Sequence, residues 1–133
     1  VNYEMKTAAI EIETRAASDI PPVAGSIGRL KQAILNLLVN ARQAMPKGGK
    51  VSVRLDRDPD GGVALSIADT GCGMSPEVQK RVFSPFFTTK PNGTGLGLPV
   101  TRRIIEDHGG TVQLESQANA GTRFILRLPA AAR

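Results

Sequence analysis

The run Gly93-Thr94-Gly95-Leu96-Gly97-Leu98 decides the fold of this chain. Glycines let a backbone approach a polyphosphate closely, and a helix that begins directly after them points free N–H groups at the anion. The turn Asp69-Thr70-Gly71-Cys72-Gly73 lies upstream of this run, and Asn36 and Asn40 lie further back. Together these segments predict a nucleotide pocket, and ATP is the expected ligand.

The spacing of the glycines argues against two common phosphate-binding motifs. It is G-x-G-x-G, which matches neither the dinucleotide pattern G-x-G-x-x-G nor a P-loop that ends in Gly-Lys-Ser/Thr. The run also follows an irregular segment, Phe83 to Gly97, rather than a strand, so a Rossmann crossover is badly placed. A flexible lid that closes over phosphates fits this segment better.

Composition limits the classes of protein to consider. The chain has 133 residues and is 41% hydrophobic, which suits a single domain over residues 1–133. No apolar run approaches the roughly 18 residues that span a bilayer. A single cysteine, Cys72, cannot form an internal disulfide. We therefore expect a cytoplasmic domain, whose parent protein could still be anchored in a membrane.

The basic charge does not indicate nucleic-acid binding. The net charge is +5, but the basic residues are scattered through all segments instead of forming one patch. Aromatic residues that could stack on bases are scarce, with four Phe, one Tyr and no Trp. We expect no nucleic-acid partner, and the positive potential would favour an anionic ligand.

Hydrophobic periodicity predicts an α+β domain with a mixed order of elements. Ser26 is the expected N-cap of the first long helix. The predicted elements are a strand around residues 8–13, a helix at 26–45, a hairpin of 51–55 and 63–67, a short helix at 75–82, a helix at about 98–107, and strands at 111–116 and 122–128.

Two polar features within these elements suggest binding chemistry. A polar stripe runs along the first long helix, because amide side chains recur there every three or four residues, at Gln32, Asn36, Asn40 and Gln43. Amides on one face can hold a hydrated Mg²⁺ and phosphate oxygens, although a solvent-facing polar surface would show the same spacing. Asp69 ends an alternating strand, where its carboxylate could accept a hydrogen bond from the amine of adenine or simply form a turn.

Four segments follow one another along the chain: Asn36 to Ala41, Asp69 to Met74, Phe83 to Lys90 and Gly93 to Leu98. Their order resembles the N, G1, F and G2 boxes of bacterial sensor histidine kinases. The resemblance covers about residues 8–129 and is closest to kinases of the nitrogen-regulation type. It implies the Bergerat fold: a two-layer α+β sandwich whose mixed, mostly antiparallel sheet of about five strands packs on about three helices. A mobile ATP lid at about 71–97 belongs to that fold.

The resemblance also implies roles for the residues that match the boxes around the phosphates. Asn40 would coordinate Mg²⁺, Asn36 would support it one turn earlier, and Gln43 would lie near the phosphates. Lys90 could reach phosphate, and Phe83 to Lys90 would anchor the lid. The lid residues expected to wrap the triphosphate are Gly93, Thr94, Gly95, Leu96, Gly97 and Leu98. Asn36, Asn40 and Lys90 would be the catalytic residues.

Other matched positions would hold the base. Asp69 would bind the adenine amine, Gly71 and Gly73 would shape the slot for the ring, and Thr122 would lie beside Asp69. The expected ligands are thus ATP and Mg²⁺.

Asn36 departs from the ATPases of the same superfamily, which carry a glutamate there that activates water. An amide cannot accept a proton usefully at neutral pH. Phosphotransfer to a histidine is therefore favoured over hydrolysis. The alternatives are a GHKL-family ATPase, an anti-sigma-factor-type serine kinase, and a nucleotide-sensing or structural domain without catalysis.

The acceptor histidine is expected outside this chain. His108, the single histidine, follows Glu106-Asp107 at a predicted helix end, where it would interact with terminal carbonyls and the helix dipole. The family's dimerisation and phosphoacceptor hairpin does not match any segment here. We expect that hairpin, from the same parent protein, as the direct partner, a response regulator as the indirect partner, and a monomeric isolated domain.

Overall fold

The computed structural model describes residues 10–18, 20–45, 47–83 and 97–130. Within these ranges the chain forms five strands and three helices. In chain order they are β1 (Ile10–Ala16), α1 (Ile27–Ala44), β2 (Gly49–Arg57), β3 (Val63–Asp69), α2 (Pro76–Arg81), α3 (Gly97–Asp107), β4 (Thr111–Ser116) and β5 (Thr122–Leu128). Residues 84–96 of the predicted lid, which spans about 71–97, lie outside the described ranges.

The strands form one mixed sheet in the order β1-β2-β3-β5-β4. β1 runs parallel to β2, and the other neighbouring strands are antiparallel. This confirms the predicted two-layer α+β fold with a mostly antiparallel sheet. β1 extends to Ala16, further than its sequence pattern predicts, because it pairs with β2 as far as Leu55.

The core lies between the sheet and the long helices. Strand register places Ile67 of β3 directly between Val53 of β2 and Phe124 of β5, so these side chains share the inner face. Leu37 of α1 and Ile105 of α3 are almost fully buried against the same cluster. Burying these apolar side chains is the main force that holds the helices on the sheet.

The next row of the same inner face carries polar residues. Asp69 ends β3 between Val51 and Thr122, one step of two residues beyond the Ile67 row. Because alternate residues of a strand share a face, Asp69 and Thr122 continue the inner face past the core to the end of the sheet. The fold thereby places them beside the helix layer.

The long helices α1 and α3 run antiparallel to each other. Ser26 caps α1 by accepting a hydrogen bond from the Arg29 N–H (3.3 Å), as its sequence position predicts. At the same end, the guanidinium of Arg29 donates to the carboxylate of Asp107 on α3 (2.7 Å). At the other end of the pair, Asn36 of α1 meets Gly97, the first residue of α3.

His108 takes the structural role that its position predicts. Its Nδ1 lies 2.7 Å from the carbonyl oxygen of Ile104, which can only accept, so Nδ1 carries the hydrogen. Its Nε2 therefore accepts the hydrogen bond from the Ser26 N–H (3.1 Å). The imidazole thus joins the C-terminus of α3 to the N-terminus of α1.

Candidate functional site

Asp69 and Thr122 face each other at the end of the sheet. They are paired directly in the β3–β5 register, as the resemblance implies. One carboxylate oxygen of Asp69, Oδ1, accepts a hydrogen bond from the Gly71 N–H (2.8 Å), which shapes the turn after β3. Thr122 is buried. A carboxylate and a hydroxyl are therefore held side by side where the chain leaves the core.

The amide stripe of α1 divides into two parts. Gln32 Nε2 donates to Asn36 Oδ1 (2.8 Å), and Asn36 Nδ2 donates to the carbonyl oxygen of Gly97 (3.2 Å). Thr101 Oγ1 donates to the same carbonyl (2.9 Å). Asn40, one turn further along α1, is almost fully buried in spite of its polar side chain. Asn36 thus links α1 to the start of α3, a contact that sequence patterns did not reveal.

The turn after Asp69 is attached to the last turn of α1. The Cys72 N–H donates to the carbonyl oxygen of Ala44 (3.1 Å), one helical turn beyond Asn40. Gly71 lies against the same residue, and a Cβ at Gly71 would come within 2.5 Å of that oxygen. The turn that carries Asp69 therefore meets the helix that carries Asn40. Gln43, also on this part of α1, is exposed.

Gly73 is required for a second close approach. Its φ is +68°, and a Cβ there would overlap the carbonyl of Gln117 in the β4–β5 turn. The Asn119 N–H donates to the Cys72 carbonyl oxygen (2.6 Å) across the same contact. Gly71 and Gly73 thus pack the turn onto α1 and onto the β4–β5 turn. Their predicted role in shaping a slot for the adenine ring remains a prediction.

Ser116 and Gln79 are site residues that sequence reasoning missed. Ser116 Oγ lies within hydrogen-bond distance of the Met74 N–H (2.8 Å), the Gly121 carbonyl oxygen (2.9 Å) and Thr122 Oγ1 (2.9 Å). Gln79 Nε2 donates to the carbonyl oxygens of Met74 and Ser116, each at 2.9 Å. A serine before a turn is common and does not indicate a site. Only the pairing of Ser116 with Thr122 across β4 and β5 would have identified it as a site residue.

The predicted anchor, Phe83, packs onto the core. Its ring meets Phe124 edge to face, with centroids 6.3 Å apart. The guanidinium of Arg102 on α3 lies 5.4 Å from the centroid of the Phe83 ring. This packing suits an anchor within the predicted lid, and a nucleotide contact by Phe83 remains a prediction.

The predicted lid contacts are only partly described. Lys90, Gly93, Thr94, Gly95 and Leu96 lie outside the described residues, so their roles remain predictions. Gly97 and Leu98 open α3, as the sequence predicts. The side chain of Leu98 is buried in the core cluster. Any nucleotide contact at Leu98 would therefore be made by its backbone.

A cleft of about 530 Å³ opens at the end of the sheet, and Asp69 and Thr122 contribute to its wall. The remaining lining residues are Ala68, Gln79, Glu115, Ser116, Gln117, Ala120, Gly121 and Arg123. Among the residues that the structure describes, no three or more His, Cys, Asp or Glu side chains gather as a metal cluster. In the same part of the chain, no helix has the length and apolarity needed to cross a bilayer.

The fold and the site define a class of nucleotide-binding α/β sandwich. It carries a carboxylate at the end of the sheet and an amide stripe on the adjoining helix. Residues 25–132 match the family of histidine kinase-, DNA gyrase B- and HSP90-like ATPases, and the chain belongs to this family.

Similar sequences are kinases of several bacteria, and some of them are named sensor histidine kinases. Sporulation kinase E of Bacillus subtilis is 38% identical over 129 residues, which cover 97% of this chain and 18% of that kinase. Sensor histidine kinase ZraS of Escherichia coli is 39% identical over 129 residues, covering 97% of this chain and 28% of ZraS. The chain thus spans less than a third of the length of these curated relatives.

Solved structures show the same likeness. The catalytic domain of histidine kinase ThkA, in a nucleotide-free form, superposes with a TM-score of 0.82 at 34% identity, covering 96% of this chain and 84% of that one. Full-length ShkA in complex with AMPPNP gives a TM-score of 0.84 at 32% identity, covering 98% of this chain and 28% of ShkA. The predicted Bergerat fold and the likeness to an ATP-binding catalytic domain of histidine kinases are confirmed.

Proposed function

We propose that this domain binds Mg–ATP and donates the γ-phosphoryl group to a histidine on a separate dimerisation and phosphoacceptor domain of the same parent protein. The observation that carries the proposal is the hydrogen bond from the Cys72 N–H to the Ala44 carbonyl oxygen (3.1 Å). It joins the turn of Asp69, the expected adenine ligand, to the helix of Asn40, the expected phosphate-side ligand. One nucleotide could then be held at both ends.

The protein contributes to this reaction mainly by positioning the reacting groups and by neutralising charge. The acceptor imidazole nitrogen forms a bond to the γ-phosphorus, the bond to the β–γ bridging oxygen breaks, and ADP leaves with that electron pair. Asp69 and Thr122 would orient the base, while Gln43, Lys90 and the glycine run from Gly93 to Gly97 would hold the phosphates.

The few protein oxygen atoms expected near the phosphates suit a Mg²⁺ ion that is bound mainly through phosphate oxygens. Mg²⁺ prefers oxygen ligands, keeps several waters and is commonly held by few protein groups plus substrate phosphates. The buried amide of Asn40 can supply one such oxygen. When bound, Mg²⁺ would neutralise charge that develops on the phosphate oxygens.

Asn36 supports transfer over hydrolysis. Its amide donates to the Gly97 carbonyl oxygen (3.2 Å), and a neutral amide has no basic site to accept a proton from water. A catalysed attack by water would need a base at this position, which the GHKL ATPases have. The γ-phosphoryl group would therefore be preserved for the histidine acceptor.

Several finer features are proposed with this function. The domain would act in the cytoplasm, where ATP is available, as a monomer that pairs with the acceptor domain and serves a response regulator indirectly. A nitrogen-regulation type of kinase is proposed from Phe86-Phe87-Thr88-Thr89-Lys90 together with the glycine run. These segments lie largely outside the described residues.

Calorimetric titration of the chain with ATP tests the nucleotide-binding step. Asp69→Asn should weaken binding by about tenfold or more, because a hydrogen bond to a charged group contributes about 1.5–3 kcal/mol. Asn40→Ala should remove the Mg²⁺ dependence of binding. Asp60→Asn is the matched control, since Asp60 accepts a hydrogen bond from the Gly62 N–H in a hairpin turn far along the strands. Wild-type affinity and Mg²⁺ dependence in both test variants would contradict the proposal.

A further inference from the structure

Ser116 joins three segments at the end of the sheet through one hydroxyl. It is the last residue of β4 and pairs with Thr122, the first residue of β5. Its Oγ contacts the Met74 N–H, the Gly121 carbonyl oxygen and Thr122 Oγ1, at 2.8, 2.9 and 2.9 Å. Thr122 in turn faces Asp69 across β3 and β5. Ser116 therefore stands directly behind the residues expected to meet the base.

The hydrogens of this cluster can be assigned from the chemistry of its members. The carbonyl of Gly121 can only accept, so the single hydrogen of Ser116 goes to it. The Met74 N–H can only donate, so it donates to Ser116 Oγ. The contact between the two hydroxyls then needs its hydrogen from Thr122. Thr122 has no second hydrogen, and its oxygen can offer only lone pairs to a ligand.

We propose that Ser116 is a positioning residue that fixes Thr122 as a hydrogen-bond acceptor and thereby sets the preference of the site for a purine that carries a 6-amino group. The inference rests on the proposed nucleotide site. With Thr122 fixed in this way, Thr122 and the Asp69 carboxylate both present acceptors at the same strand end. Such a pair can accept from both hydrogens of the 6-amino group of adenine, whereas both acceptors would repel the carbonyl oxygen that hypoxanthine carries at position 6.

Loss of the Ser116 hydroxyl has two separable consequences. In Ser116→Ala the Met74 N–H loses its acceptor. This loss loosens the turn after β3 and weakens the binding of every nucleotide by the same factor. The hydrogen of Thr122 is also released, so that its hydroxyl can donate to a carbonyl on the base. Only the second consequence changes the ratio of affinities for two bases, and a merely structural role of Ser116 would leave that ratio unchanged.

The test compares ATP with inosine triphosphate (ITP) by calorimetry in the presence of Mg²⁺. We expect wild type to prefer ATP. In Ser116→Ala the looser turn should weaken ATP binding about three- to tenfold, because one hydrogen bond corresponds to about that factor. For ITP the hydrogen bond that Thr122 can now donate should offset this loss, so that its affinity changes little. The preference for ATP should fall by the same factor. Ser66→Ala is the control, since Ser66 lies on the opposite face of β3 from Asp69 and should leave both affinities unchanged.

A double-mutant cycle tests whether Ser116 acts through Thr122. In a Thr122→Val background, Ser116→Ala should no longer alter the preference. A preference that is unchanged by Ser116→Ala alone, or changed equally in both backgrounds, would overturn the inference while leaving nucleotide binding in place. Failure of the wild-type chain to bind either nucleotide would instead refute the proposed function, and this inference with it.

Discussion

Replacing Gly73 by alanine tests whether the turn after β3 owes its position to close backbone packing. Gly73 has a φ of +68°, and a Cβ there would overlap the carbonyl of Gln117. That carbonyl is not free to move, because it accepts a hydrogen bond from the Ala120 N–H (3.1 Å) within the β4–β5 turn. The substitution therefore adds steric overlap to an unfavourable backbone conformation.

The chain provides a control that separates these two costs. Gly61 has a φ of +95°, and a Cβ there would meet nothing within 4 Å. Left-handed backbone costs a residue with a Cβ about 1–2 kcal/mol, so Gly61→Ala should lose about that much of the free energy of unfolding. Overpacking adds about 1–3 kcal/mol, so Gly73→Ala should lose about 2–5 kcal/mol in total.

Urea unfolding followed by circular dichroism measures both variants against wild type. The expected result is a loss for Gly73→Ala that exceeds the loss for Gly61→Ala by about 1–3 kcal/mol. Gly73→Ala should also weaken ATP binding, because the turn it displaces carries Asp69. Equal losses in the two variants would refute the reasoning, since the contact with Gln117 would then contribute nothing.

Three further predictions concern the stability of the core, the stability at acid pH and the rate of phosphate release. Leu37→Ala should lower the free energy of unfolding by about 2–5 kcal/mol, because Leu37 is 1% exposed; a loss below 1 kcal/mol in urea titrations would contradict its place in the core. The hydrogen bond from Arg29 lowers the pKa of Asp107, so the stability it contributes is present above the unfolded-state pKa and is lost as pH falls through the lower folded-state pKa. Asp107→Asn should make the free energy of unfolding less dependent on pH in this acid range. A pH dependence of the melting temperature that is unchanged in this variant would count against the ion pair. Steady-state phosphate release should be slow because Asn36 cannot act as a base, and rapid release by the wild-type chain would refute that assignment.

Local patterns in the sequence predicted most of the fold. The cap Ser26 marked the start of α1, and alternating residues marked the final two strands, Thr111–Ser116 and Thr122–Leu128. These signals are local, because a cap bonds to an N–H three residues away and alternation reflects one buried face. The extent of β1 was less predictable, since it depends on parallel pairing with β2.

The sequence predicted one contact of the candidate site and missed others. The pairing of Asp69 with Thr122 followed from the resemblance, and the structure confirms it. The bond from Asn36 to Gly97 joins residues 61 positions apart, and no local pattern can specify it. Ser116 was missed for the same reason, because its importance comes from segments that meet only in the folded chain.

Transfer of label from ATP tests the central claim most directly. The chain is mixed with γ-labelled ATP, Mg²⁺ and the dimerisation and phosphoacceptor domain of its parent protein, and label on that domain is followed over time. Acid-labile, base-stable label on the acceptor, lost in the Asp69→Asn variant, is the result that the account predicts. Release of inorganic phosphate without any labelled acceptor would contradict it.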